Sequence, residues 1–145
     1  MKVQVHIAGS EELQGVAEFY DETEYSGGIL PSDRIVVALS DGRLVGAYRL
    51  VREHDLLVLR GMRVRASLRR QGIGVRLLHA LTDFGESCYC VPHACLEGFY
   101  GHVGFALLAN TETPGFLLAR AAQYRGQGLD VIVMRREPAT PDRTT

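Results

Sequence analysis

The stretch VRASLRRQGIGVRLL, residues 64–78, decides how the chain is read. Val64 ends an apolar run, Arg65, Arg69 and Arg70 follow, and Gly72 and Gly74 precede apolar residues at helical spacing. Where a strand gives way at once to a helix, the first helical amides have no acceptor inside the helix. They sit beside the positive end of the helix dipole and make an anion site. Glycine lets the backbone approach such an anion closely, and Arg69, Arg70 and Arg76 add charge. A pyrophosphate is the natural guest. No Lys-Ser/Thr pair follows the glycines, which excludes a Walker A loop. A dinucleotide fingerprint would need a third glycine and parallel strands behind it.

Upstream, KVQVHIA alternates Val3, Val5 and Ile7 with polar residues and predicts a half-buried strand. Ser10 is the expected helix cap, with Glu11 and Glu12 in the first turn, before a stripe of Leu13, Val16, Ala17 and Tyr20. DETEYSGGILPSD, 21–33, reads as an irregular loop. RIVVAL, LVGAYRLV and LLVLRGMRV then form an antiparallel meander over 34–65, with Asp41-Gly42 at the first turn and EHD at the second. Gly61 inside the last strand marks a bulge or a close backbone approach. Downstream, 71–86 predicts a helix, SCYCVP a short strand, CLEGFYGHVG a short helix and FALLA a weak strand. GFLLARAAQYRGQG predicts a helix and DVIVMRR, 130–136, a last strand. The order is α+β, mixed, with a meander first and crossovers later.

The 145 residues fit one domain, expected over 1–136, with 137–145 as a flexible polar tail. No apolar run is long enough to span a bilayer and no secretory leader opens the chain, so a cytoplasmic location is expected. The three cysteines, an odd count, argue against a disulfide framework. The net charge of −1 implies no general attraction to nucleic acid or membrane. Charge is nonetheless uneven. Residues 1–33 carry seven acids and one base, Lys2, whereas 49–76 carry eight arginines and two acids. The arginine band lies beside the glycine loop, where it suits an anion.

The spacing Arg69-x-x-Gly72-x-Gly74 resembles the acetyl-CoA signature of the GNAT superfamily of N-acetyltransferases. GFYGHVGF at 98–105 resembles the second signature of that family, and the interval fits one helix and one strand. The resemblance implies a mostly antiparallel sheet flanked by helices and splayed between its fourth and fifth strands. It implies that Met62, Arg63 and Val64 pair with the pantetheine arm of acetyl-CoA. Arg69, Arg70, Gln71, Gly72, Ile73, Gly74 and Val75 would hold the pyrophosphate. Tyr100 matches the tyrosine that protonates the departing thiolate, a sound role for a phenol of pKa about 10. A base is also needed, because an alkyl amine is mostly protonated at neutral pH. Glu24, with Glu22 nearby, lies in the segment that lines the acceptor site in this fold. Ala66 stands where the family often has proline, and His93 where many members have asparagine.

The resemblance thus points to acetyl transfer onto a primary amine of a small molecule, with no metal, no nucleic-acid or membrane partner, and a possible homodimer. The alternatives are a protein lysine or N-terminal acetyltransferase and a CoA-binding module without catalysis. Cys88, Cys90, His93 and Cys95 raise a zinc site, but buried reduced thiols filling a core are the simpler expectation. Arg60 and Arg63 are unusual in a central strand; each is expected to meet a neighbouring acid or an acceptor carboxylate.

Overall fold

The alternation in the first residues produces strand β1, Val3–Ile7, as its sequence predicts. It opens a computed structural model that describes residues 2–138. The described chain continues through α1 Leu13–Glu22, β2 Arg34–Ser40, β3 Arg43–Glu53, β4 Leu56–Val64 and α2 Ile73–His79. Then come β5 Cys88–Cys90, α3 Glu97–Gly101, β6 Phe105–Leu107, α4 Gly115–Gly126 and β7 Met134–Arg136. Its contacts divide it into two compact units, one up to Leu81 and one from Thr82.

In the first unit β1, β2, β3 and β4 pair antiparallel, each with the next. Both hairpin turns place positive φ at their two central residues, Asp41 (51°) with Gly42 (80°) and His54 (50°) with Asp55 (64°). That backbone twist matches the strands it joins. One face of the sheet takes α1, whose buried Val16, Phe19 and Tyr20 pack with Ile35, Val37 and Ala47. The other takes α2. Gly46 is what lets it close, because a Cβ there would stand 2.8 Å from Leu77 Cδ1. The Tyr48 hydroxyl donates to the Leu77 carbonyl at 2.8 Å and fixes the helix height.

In the second unit β7 lies between β5 and β6, antiparallel to both. Leu117 and Ala121 are the buried face of α4. Arg136, itself buried, donates from Nε to the Val103 carbonyl at 2.8 Å.

Three expectations shift. Ser10 is not the cap: residues 10–12 form a 3-10 turn, and the Glu12 carboxylate reaches back to the Gly9 amide at 3.0 Å. That bond, with His6 beside it, holds the Glu12 carboxyl below its usual range. The helix expected over 71–86 ends at His79 and tightens into a 3-10 turn, Ala80–Asp83, as helix ends often do. The last strand begins at Met134 rather than 130. Val131 makes only an isolated bridge to His93, because Pro92 beside it has no N–H with which to continue a ladder. The tail expected at 137–145 lies, from residue 139, outside the described residues.

Candidate active site

The centre of β4 carries the expected irregularity. Ala47 faces Arg63 while Arg49 faces Arg60, so β4 holds one residue more than β3 over that interval. Gly61 sits there with φ of 69°, the conformation of a glycine bulge. Its Cβ would stand 3.0 Å from the Tyr25 ring and 3.1 Å from the Tyr20 hydroxyl. Backbone shape and crowding therefore both require glycine. The bulge interrupts the ladder next to Met62, Arg63 and Val64, which are half-buried.

Beyond Val64 the chain turns and enters α2. Arg70 (69°) and Gly72 (79°) both take left-handed backbone. Gly72 is the N-cap and offers no side chain to the first amides. Nothing lies within 4 Å of where its Cβ would be, so the backbone is open to approach. Ile73 is buried against the sheet, whereas Arg69, Arg70, Gln71 and Gly72 are exposed; Gly74 and Val75 are half-buried. Arg76, expected to add charge here, instead donates to the Val3 carbonyl at 2.6 Å.

The arginine band sorts by partner. Arg60 lies 3.9 Å from Glu53. Arg65 bonds Glu22 at 2.6 Å and the Leu44 carbonyl at 2.7 Å. Arg63 meets no acid among the described residues; it lies 5.2 Å over the Tyr25 ring and donates to the Met62 carbonyl. The side chains of Arg69 and Arg70 make no hydrogen bond, ion pair or ring contact among the described residues.

Arg49 is the case that sequence reasoning missed. It is 1% exposed, bonds Asp33 at 2.7 Å and donates to the Tyr25 hydroxyl at 2.5 Å. Burial alone would lower its pKa, but the bond to Asp33 and then that to Tyr25 raise it, so the charge persists. Asp33 also accepts from the Leu30 amide at 2.9 Å. One buried arginine thus anchors the 23–33 loop to β3. The signal was present in the sequence, a lone charge within apolar LVGAYRLV. The Tyr20 hydroxyl beside it is buried, and that burial pushes its pKa up.

The loop begins with a tight helix stop. The Glu24 amide bonds the Asp21 carbonyl at 3.2 Å and the Tyr25 amide bonds the Tyr20 carbonyl at 2.9 Å. These are the two bonds of a Schellman motif, and the Tyr20–Tyr25 ring contact at 4.6 Å is its usual apolar companion. Glu24 occupies the left-handed position, φ 62°, where glycine is favoured. It lines a cleft of about 380 Å³ with Glu22, Arg43, Val64, Arg65 and Arg69.

In the second unit Tyr100 is a buried residue of α3, edge-on to Phe99 at 5.1 Å and to Phe105 at 5.5 Å. Gly104, φ 102°, ends that turn. Cys88 and Cys90 are buried on β5, and burial raises the Cys90 thiol well above its usual value. Cys95 is exposed and His93 begins the next turn. Among the described residues no three His, Cys, Asp or Glu side chains are grouped as a metal site would need. No described helix is long and apolar enough to cross a membrane.

The family described as acetyltransferase (GNAT) domain matches residues 31–107. No curated protein matches the chain by sequence. Solved structures do match by fold. N-acetylglutamate synthase from Neisseria gonorrhoeae, bound to coenzyme A and N-acetyl-glutamate, is 20% identical with a TM-score of 0.66. The match covers 97% of this chain but 36% of the synthase, so the chain spans about a third of that protein's length. The ribosomal-protein-S18-alanine N-acetyltransferase from Escherichia coli matches at 13% identity and a TM-score of 0.67, over 99% of both chains. PaiA N-acetyltransferase from Thermoplasma acidophilum, in complex with coenzyme A, matches at 15% identity and 0.62, over 94% of this chain and 99% of its own. These likenesses establish the fold: mixed α+β, mostly antiparallel strands flanked by helices.

Proposed function

The chain belongs to the GNAT acetyltransferase family, and from that premise we propose that it moves the acetyl group of acetyl-CoA onto a primary amine of a small molecule, the two units serving as one domain over 1–136. It is an acyltransferase; the acceptor class and the residue roles are the proposal.

One observation carries the assignment of roles. The head of α2 is uncapped, left-handed backbone at Arg70 and Gly72 opens toward it, and Arg69 and Arg70 hold no partner of their own. Amides of Gln71 through Val75 then grip the diphosphate, with Arg69 and Arg70 neutralising it. Met62, Arg63 and Val64, beside the bulge at Gly61, are the backbone offered to the pantetheine arm in this reading.

The chemistry follows. The ammonium form of the acceptor first yields a proton, which Glu24 receives. The free amine attacks the thioester carbonyl carbon, the C–S bond breaks, and the thiolate takes a proton from the Tyr100 hydroxyl. The nitrogen sheds its second proton to solvent, and the proton held by Glu24 returns through solvent to Tyr100, which restores both side chains. The products are an amide, coenzyme A thiol and one proton.

Two measurements test this. Calorimetry should register coenzyme A binding, and mixtures of protein, acetyl-CoA and an amine panel should release free thiol. Silence in both sinks the reading; binding without release leaves a module that holds coenzyme A but does not catalyse. A second reading, a protein N-terminus as acceptor, draws on the likeness to the ribosomal-protein alanine acetyltransferase. A peptide panel run beside the amines separates the two.

A further inference from the structure

The cleft at the end of α1 carries more charge than it uses. Glu22 and Arg65 bond each other at 2.6 Å, and Arg65 is held further by the Leu44 carbonyl. That pair is closed. Three charged side chains on the same walls stay open: Glu24, Arg43 and Arg69 make no ion pair or hydrogen bond with any described side chain. Glu24 and Arg43 line one cleft of about 380 Å³ and form no ion pair with each other.

Glu24 is also costly where it stands. Left-handed backbone costs a side-chain-bearing residue about 1–2 kcal/mol, and glycine nothing. The position would serve the helix stop better as glycine, yet it holds an exposed glutamate that lines the cleft. If Arg69 is committed to the diphosphate, Arg43 and Glu24 remain as an opposed pair.

We propose that this cleft selects amino-acid acceptors: Arg43 takes the α-carboxylate and Glu24 faces the ammonium group. The proposal rests on the acetyltransferase reading and narrows its acceptor. Guanidinium forms paired hydrogen bonds to a planar carboxylate, which gives orientation as well as attraction. An acceptor with an ammonium group alone meets Glu24 and leaves Arg43 idle. An amino acid uses both, and its nitrogen is directed to the acid that receives its proton.

The test compares three acceptors of matched side chain: an amino acid, its carboxamide and its decarboxylated amine. Thiol release should show a KM for the amino acid at least tenfold below the other two. Arg43→Gln should erase that preference, Arg43→Lys should restore part of it, and coenzyme A affinity by calorimetry should be the same in both variants. Equal KM values in the wild-type protein overturn the proposal. So does a preference that survives Arg43→Gln, or coenzyme A binding with no turnover of any amino acid tried. If coenzyme A itself fails to bind, the acetyltransferase reading falls first and takes this one with it.

Discussion

Arg49 and Arg70 stand 21 positions apart in one band and do opposite work. Arg49 is 1% exposed, with an acid and a phenol arranged around it. Arg70 is exposed, on left-handed backbone, with no partner among the described residues. A buried cation must be matched by the fold, or its desolvation is uncompensated. An exposed one costs the fold little and stays available for an anion. Environment, not residue type, therefore sorts structural arginines from those a ligand can claim.

The comparison is broken or sharpened by substitution. Arg49→Met leaves Asp33 buried without its cation and should cost about 3–5 kcal/mol in urea unfolding; a loss under 1 kcal/mol would mean the pair is not the anchor it looks like. Arg70→Gln should leave stability within about 0.5 kcal/mol yet weaken coenzyme A binding and flatten its salt dependence. Tyr100→Phe should slow thiol release about a hundredfold or more with coenzyme A affinity unchanged; normal turnover would remove Tyr100 from the chemistry. Gly72→Val, forced into φ of 79°, should lose about 1–2 kcal/mol of stability and most coenzyme A affinity in the same calorimetry. One stability effect runs the other way. Glu24→Gly should raise stability by about 1 kcal/mol while turnover falls, and a variant that is more stable and equally active would make Glu24 a bystander.

Much of this was legible in the sequence, for identifiable reasons. The meander announced itself through alternation and the Asp41-Gly42 turn, and Gly61 through its place inside an apolar run. Local rules govern those features, so local reading suffices. The glycine loop was legible for the same reason. The Asp33–Arg49–Tyr25 cluster was not, because its members are 16 and 24 positions apart and only the packing of α1 on the sheet brings them together. Arg76 misled: its charge suits the loop, but the Val3 carbonyl of β1 is its acceptor. Glu24 was singled out as an acid near an acceptor, and its left-handed backbone at the helix stop had no sequence signature beyond the absence of glycine.

The hairpin turns at 41–42 and 54–55 bear on how the protein is made. Each joins strands that are neighbours in sequence, so three of the four strands of the first unit zip with almost no loop to close. β1 must wait, since its partner β2 starts 27 residues after it ends and the intervening helix has to be spanned. Chain order thus sets an expected assembly order: pulse-labelled refolding should protect amides of 34–64 first, and those of 3–7 afterwards.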